Sequence, residues 1–149
     1  MADVFDVAKY ILQKQGEMTT MKLQKLVYYC QAWSLVWDEK PLFDEEIQAW
    51  ASGPVVRKLY DIHKGMFTFS DITEGDINNL TPAQIETIDC VLDSYGDKPA
   101  QWLADLTHME DPWNEARKDF SPGENCENVI TLASMVEYYS SLSSDGEPI

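Results

Sequence analysis

The stretch over residues 21–37 constrains this chain most, because it reads as a helix that is apolar on most of its sides. Leu23, Leu26, Val27, Cys30, Ser34 and Trp37 form one stripe at helical spacing, and Tyr29, Ala32, Trp33 and Val36 form a second. Such a helix has to be covered from several directions, so residues 21–37 are expected to be the spine of the core. Thr19 or Thr20 is placed to cap its start. Asp38-Glu39-Lys40-Pro41 is turn chemistry at its end. The fold class that follows is mainly α, a compact helical bundle around this central apolar helix.

Other helices flank the spine. Val4, Val7, Ala8, Ile11 and Leu12 line one face of a first helix, with Gly16 as its stop. Thr81-Pro82-Ala83-Gln84 combines an N-cap, a first-turn proline and a returning glutamine, which is a capping box. Ile85, Ile88, Leu92 and Tyr95 then recur at helical spacing up to Gly96. Pro99 opens a short helix with Trp102, Leu103 and Leu106 expected inward. Asp111-Pro112-Trp113-Asn114 reads as a further cap-then-proline start. Ser121-Pro122-Gly123 is a loop, and Val129, Leu132, Ala133, Val136 and Tyr139 mark a last helix.

Between spine and capping box the period changes. Ile47, Ala49 and Ala51 alternate with Gln48, Trp50 and Ser52, which predicts a small β element near residues 43–51. Ser52-Gly53-Pro54 should close it, and Pro54 suits the first position of a new helix lined by Val55, Leu59 and Ile62. A weaker second strand over residues 66–70, through Phe67 and Phe69, is a candidate to pair with the first. No repeat and no dividing linker is visible, so residues 1–142 are expected to form one domain. Residues 143–149 have the composition of a mobile tail.

Charge and cysteine usage narrow the function classes. The net charge is −15, unevenly spread: residues 1–70 hold 9 acids and 8 bases, residues 71–149 hold 17 and 3. Such a field repels nucleic acid phosphates, so direct sequence-specific DNA binding by this chain alone is not expected. The acidic half is either plain solubility or a face for a basic partner, including a mimic of nucleic acid charge. Apolar runs are too short to span a bilayer, and no basic leader region opens the chain. Cys30, Cys90 and Cys126 are odd in number and widely spaced, which favours a reducing compartment, the cytoplasm.

No catalytic or metal signature stands out. His63 and His108 have no cysteine or carboxylate at ligand spacing, so no metal and no cofactor is expected. Cys30 lies on the core stripe and reads as a buried, inert thiol. His63 falls near a helix end, where a cation meets the dipole well. Phosphate-cradling loops and nucleophile elbows are missing from the sequence. The chain therefore reads as a binding protein, not an enzyme. Its best surface candidate combines Lys22 and Lys25, three apart on one helix face, with Arg57 and Lys58 just after Pro54, and with Trp50. Trp50 has two readings: an anchor facing a partner, or a side chain packed under a helix.

The residues also carry a family likeness. The run from Met21 through Lys22, Leu23, Gln24, Lys25, Leu26 and Val27 to Tyr28-Tyr29-Cys30-Gln31 resembles the signature of the Panacea-domain family, the SocA-like antitoxin domains related to phage-associated GepA-like proteins. The likeness continues through Lys40-Pro41-Leu42-Phe43, Ile47-Gln48-Ala49-Trp50 and Gly53-Pro54-Val55-Val56. It resumes at Tyr95-Gly96, at Leu106 through Thr107, His108 and Met109 to Pro112-Trp113, and at Ile130 and Tyr138-Tyr139.

The resemblance implies an antitoxin that neutralises a toxin encoded beside it, in one branch also an adaptor delivering that toxin to an AAA+ protease. An alternative is a phage or prophage effector that inhibits a host protein. The family-like part starts almost at Met1, so no added N-terminal DNA-binding domain is expected. Gly53, Pro54 and Val55, with Thr107, His108, Pro112 and Trp113, are expected to be structural: a sharp strand exit, and a corner with a cap and a buried anchor.

Overall fold

The computed structural model describes residues 2–142, and the tail expected over residues 143–149 lies outside them. Helix α1 (Val4–Gln15) is followed by a short strand β1 (Met18–Thr19) and the spine α2 (Thr20–Trp37). A hairpin of β2 (Ile47–Trp50) and β3 (Gly53–Val56) leads into α3 (Arg57–His63) and the short β4 (Thr68–Phe69). Helices α4 (Pro82–Tyr95), α5 (Ala100–His108), α6 (Asp111–Ala116) and α7 (Leu132–Leu142) complete the described residues. The protein is mainly helical, with two small two-stranded sheets.

The spine is covered on every side its sequence requires. Every residue of α2 from Leu23 to Leu35 is buried, and α1, α4, α5, α7 and β3 all pack on it. Thr19 is the N-cap, its hydroxyl accepting from the Lys22 amide at 3.1 Å. The stripe of α1 is buried as expected and ends at Gly16, whose φ of 81° suits glycine. The capping box at Thr81 and Gln84 forms in both directions.

Four buried residues of the spine are polar, and each holds backbone that crosses it. Gln31 accepts from the Leu42 and Phe43 amides at 2.7 and 3.3 Å and donates to the Phe43 carbonyl at 2.8 Å. Ser34 donates to the Lys40 carbonyl at 2.9 Å. Two turns before Gln31, Gln24 accepts from the Val56 amide at 2.9 Å and donates to the Val56 carbonyl at 3.3 Å. Lys25 donates to the Pro54 carbonyl at 3.2 Å. The crossing segments lack a full ladder of their own, so these side chains satisfy groups that would otherwise be buried unpaired.

Several expectations are corrected. The 47–50 strand does not pair with the 66–70 segment: β2 pairs antiparallel with β3, and β4 pairs with β1. Pro54 is a strand residue and not a helix start; α3 begins at Arg57. Proline is tolerated there because its partner Ala49 turns its amide to the Asn128 carbonyl at 2.8 Å and its carbonyl to Arg117, both away from Pro54. Trp102 is exposed, while Leu103, Ala104 and Thr107 form the buried face of α5. Helix α7 starts at Leu132, so Val129 lies before it; the helix buries Met135 and Tyr139, whereas Val129, Leu132 and Val136 are exposed. The N-cap of α6 is Glu110, not Asp111, and it gives no side-chain cap because its carboxyl points into the core.

That carboxyl organises the far end of the spine. Glu110 accepts from the Tyr29 and Tyr139 hydroxyls, both at 2.7 Å, and the Tyr28 and Tyr139 oxygens lie 3.0 Å apart. Tyr29 stacks on Tyr95 at 4.3 Å, and Tyr95 accepts from the Trp33 indole at 3.1 Å. Burial pushes the Glu110 carboxyl up to about 7 against the pull of the two tyrosines.

Candidate partner-binding corner

The β2–β3 hairpin ends in a corner at Trp50-Ala51-Ser52-Gly53. Gly53 has φ of 121°, and a Cβ there would collide with Lys25 Cε. Glycine is thus required twice over, by the backbone and by the lysine lying against it. Lys25 itself is 1% exposed, so it is not on the solvent-facing surface expected for it. Burial lowers its amine to about 7.

The other expected contact residues divide. Trp50 is half-buried, outward of the buried Ile47 and Ala49, as its register implies. Its ring meets Tyr60 edge-on at 4.8 Å, its indole donates to Gln48 at 2.7 Å, and the Arg57 guanidinium lies 5.9 Å from the ring. Arg57 is exposed and bonded to Asp61 at 3.3 Å. Lys58 is exposed and Lys22 half-exposed. The structure therefore joins Trp50 and Arg57 on one outer face, with Lys25 beneath the corner.

The distant family-like segments meet here. Trp113 is buried and donates its indole N–H to the Trp50 carbonyl at 2.8 Å. His108 stacks on Trp113 at 4.1 Å, and the Arg117 guanidinium lies 5.0 Å from the same ring. Arg117 donates to the Ala49 carbonyl at 2.9 Å and to the Ser121 and Glu124 carbonyls at 3.1 and 2.6 Å. Thr107 is buried and donates to the Ala104 carbonyl at 2.7 Å. Gly53, Pro54, Val55 and Pro112 are buried.

Lys25 and two histidines at the corner are held toward neutrality. His63 is buried with Nε2 2.9 Å from Gln24 Nε2, and burial lowers its proton affinity, which works against the dipole-bound cation expected from its place in α3. His108 is lowered too, first by burial and then by Lys25. Cys30 is fully buried and its thiol is pushed up by desolvation. Among the described residues no group of three or more His, Cys, Asp or Glu is placed to hold a metal ion. No described helix is long and apolar enough to cross a membrane.

Gln24, Gln31, Glu110 and Arg117 are residues that sequence reasoning missed. The signal for the glutamines was present: two amides seven positions apart inside an otherwise apolar helix. Glu110 and Arg117 carry no such mark, since acids and bases on short helices are usually solvated.

Fold and corner together define a small, mainly helical domain built on one buried helix whose polar residues clamp a β hairpin. The chain belongs to the family described as antitoxin SocA-like, Panacea domain, whose model matches residues 23–114. That span runs from the spine to α6 and includes both segments that meet at the corner. No curated protein and no solved structure matches the chain.

Proposed function

We propose that this chain is a non-enzymatic, cytoplasmic antitoxin that binds and neutralises a protein toxin encoded nearby, using the outer face of the Trp50–Gly53 corner. The observation that carries the reading is membership of the antitoxin family across the spine and both halves of the corner. Trp50, Arg57, Lys58 and Lys22 are the contact residues; Gly53, Pro54, Val55, Thr107, His108, Pro112 and Trp113 hold the corner in shape. An aromatic side chain half-open to solvent beside exposed bases is the composition that protein interfaces use at their centres. Residues 1–142 act as one domain, without metal or cofactor and without direct DNA recognition. A further role as an adaptor that delivers the bound toxin to an AAA+ protease, as in one branch of the family, is part of the same proposal.

The test is co-expression with the adjacent open reading frame. Restored growth and a co-purifying complex are the expected result; a toxic neighbour that stays toxic and unbound contradicts it. A second reading, a phage effector acting on a host protein, draws on the 17 acids against 3 bases of residues 71–149. It requires that reversing acids in α4 abolish host inhibition while corner substitutions leave it intact.

A further inference from the structure

A cavity of about 140 Å³ opens between the start of α2, the hairpin and α3, and Gln24, Lys25, Trp50, Ser52, Tyr60 and His63 are among its lining residues. The Lys25 amine has one hydrogen-bond acceptor, the Pro54 carbonyl at 3.2 Å, and no ion pair among the described residues. A lysine head group offers three donors when charged, and buried ones are ordinarily paired with an anion. This chain has 26 acids, yet none lines the cavity. The nearby ionisable groups are instead His63 on α3 and His108 on α5, both of which feel the Lys25 charge.

We infer that this cavity is a carboxylate-binding pocket, in which Lys25 supplies the missing half of an ion pair to an acidic side chain of a partner protein. The pocket suits a carboxylate better than a phosphate. It offers a single amine, while the Gln24 amide is already committed to Val56 and His63. Phosphate is usually held by several convergent backbone N–H groups. Trp50 and Tyr60 provide walls for the methylene stem of such a side chain, and the N-terminal end of the 18-residue α2 adds a favourable dipole at the mouth. Burial holds the Lys25 amine near 7, so an arriving carboxylate restores its full charge.

The rim argues for a protein as the source. Met21 lines the cavity and is 37% exposed; Thr20, also on the lining, donates its amide N–H to the Phe67 carbonyl at 3.0 Å. Phe67 and Met66 on that turn are 79% and 47% exposed. On the α3 side Arg57 is paired with Asp61 and Glu127, at 3.3 and 3.9 Å, which leaves Lys58 and Lys64 as bases without an ion pair among the described residues. Exposed apolar residues beside a basic pocket fit an apolar segment carrying an acid. This deepens the proposed contact face and rests on it only for the source of the carboxylate.

The test uses the whole chain at pH 6.5 and constant ionic strength, following the Lys25 ε-methylene by NMR and Trp50 by fluorescence. The probes are sodium propionate, inorganic phosphate, and the blocked peptides acetyl-Phe-Glu-Leu-amide and acetyl-Phe-Gln-Leu-amide. Propionate is expected to saturate both signals, phosphate at least tenfold more weakly, and the Glu peptide at least tenfold more tightly than propionate. Folded Lys25→Met should lose the response at least tenfold. No saturation by propionate or the Glu peptide, equal binding of phosphate, or an unchanged Lys25→Met variant overturns the pocket. A Glu peptide no tighter than propionate or than its Gln counterpart overturns the protein source. Saturation and anion preference are read on the unsubstituted protein, so they stand even if Lys25→Met does not fold. No toxin takes part, so failure of the antitoxin reading leaves this result intact, and the reverse holds.

Discussion

The effect of Glu110→Gln on stability is expected to become more favourable by about 3 kcal/mol between pH 5 and pH 8. In the folded chain the Glu110 carboxyl is 3% exposed and raised from 4.5 to about 7 by burial. A carboxyl whose folded value is raised binds its proton more tightly in the folded state. Its contribution to stability is fully present below the unfolded value and is lost as pH rises from about 4.5 through about 7. A gap of that size is worth about 3 kcal/mol, at roughly 1.4 kcal/mol per tenfold. Glutamine keeps an oxygen for the Tyr29 and Tyr139 hydroxyls but adds donors that need acceptors, a cost of about 1–3 kcal/mol.

At pH 5, where Glu110 is protonated, the variant should therefore be less stable than the parent by that cost. At pH 8 the parent carries a buried carboxylate and the variant recovers about 3 kcal/mol relative to it. Urea unfolding of both proteins at both pH values measures this as a difference of differences. Titration of Lys25, His63 and His108 occurs in both proteins and cancels. A stability difference between variant and parent that is the same at pH 5 and pH 8, within about 0.5 kcal/mol, refutes the placement of a strained carboxyl at this site.

Gly53→Ala should cost about 2–4 kcal/mol in urea unfolding, because its φ of 121° disfavours any Cβ and that Cβ would run into Lys25. Gln31→Leu should destabilise by about 2–4 kcal/mol, since the Leu42 and Phe43 amides and the Phe43 carbonyl lose their partner; an unchanged midpoint would show that water replaces it. In thiol titration of the native chain Cys90, which is exposed, should react while buried Cys30 and Cys126 wait for denaturant. Its rate should climb steeply above neutral pH, because partial desolvation and the charges of Glu86, Asp93 and Asp89 raise its thiol.

Legibility in the sequence followed local physics. The spine, α1 and α4 were readable because stripe, cap and stop agreed: Thr19 and Thr81 cap, and Gly16 and Gly96 end their helices. The α3 start was misplaced because proline suits a helix start as well as a strand position that needs no donor, and what decides between them is the Ala49 backbone, which turns to Asn128 and Arg117. On α7 the apolar count misled: Leu132 and Val136 outnumber Met135 on paper, but Tyr139 has to reach Glu110, and that fixes the rotation of the helix. Lys25 could not be read at all from spacing. Its partner at helical spacing, Lys22, stays half-exposed, and only the absence of a side chain at Gly53 makes room for it inside. The meeting of residues 50–56 with 107–113 likewise depends on the Trp113–Trp50 hydrogen bond across 63 positions, which no local pattern records.

The central claim is that this chain acts by holding a partner protein at the Trp50–Gly53 corner. Hydrogen exchange of the chain alone and in complex with the product of the adjacent open reading frame tests it most directly. The account predicts slowed exchange in the complex across residues 50–67, with α4 and α7 unchanged. Protection confined to α4 or α7, or no complex at all, contradicts it.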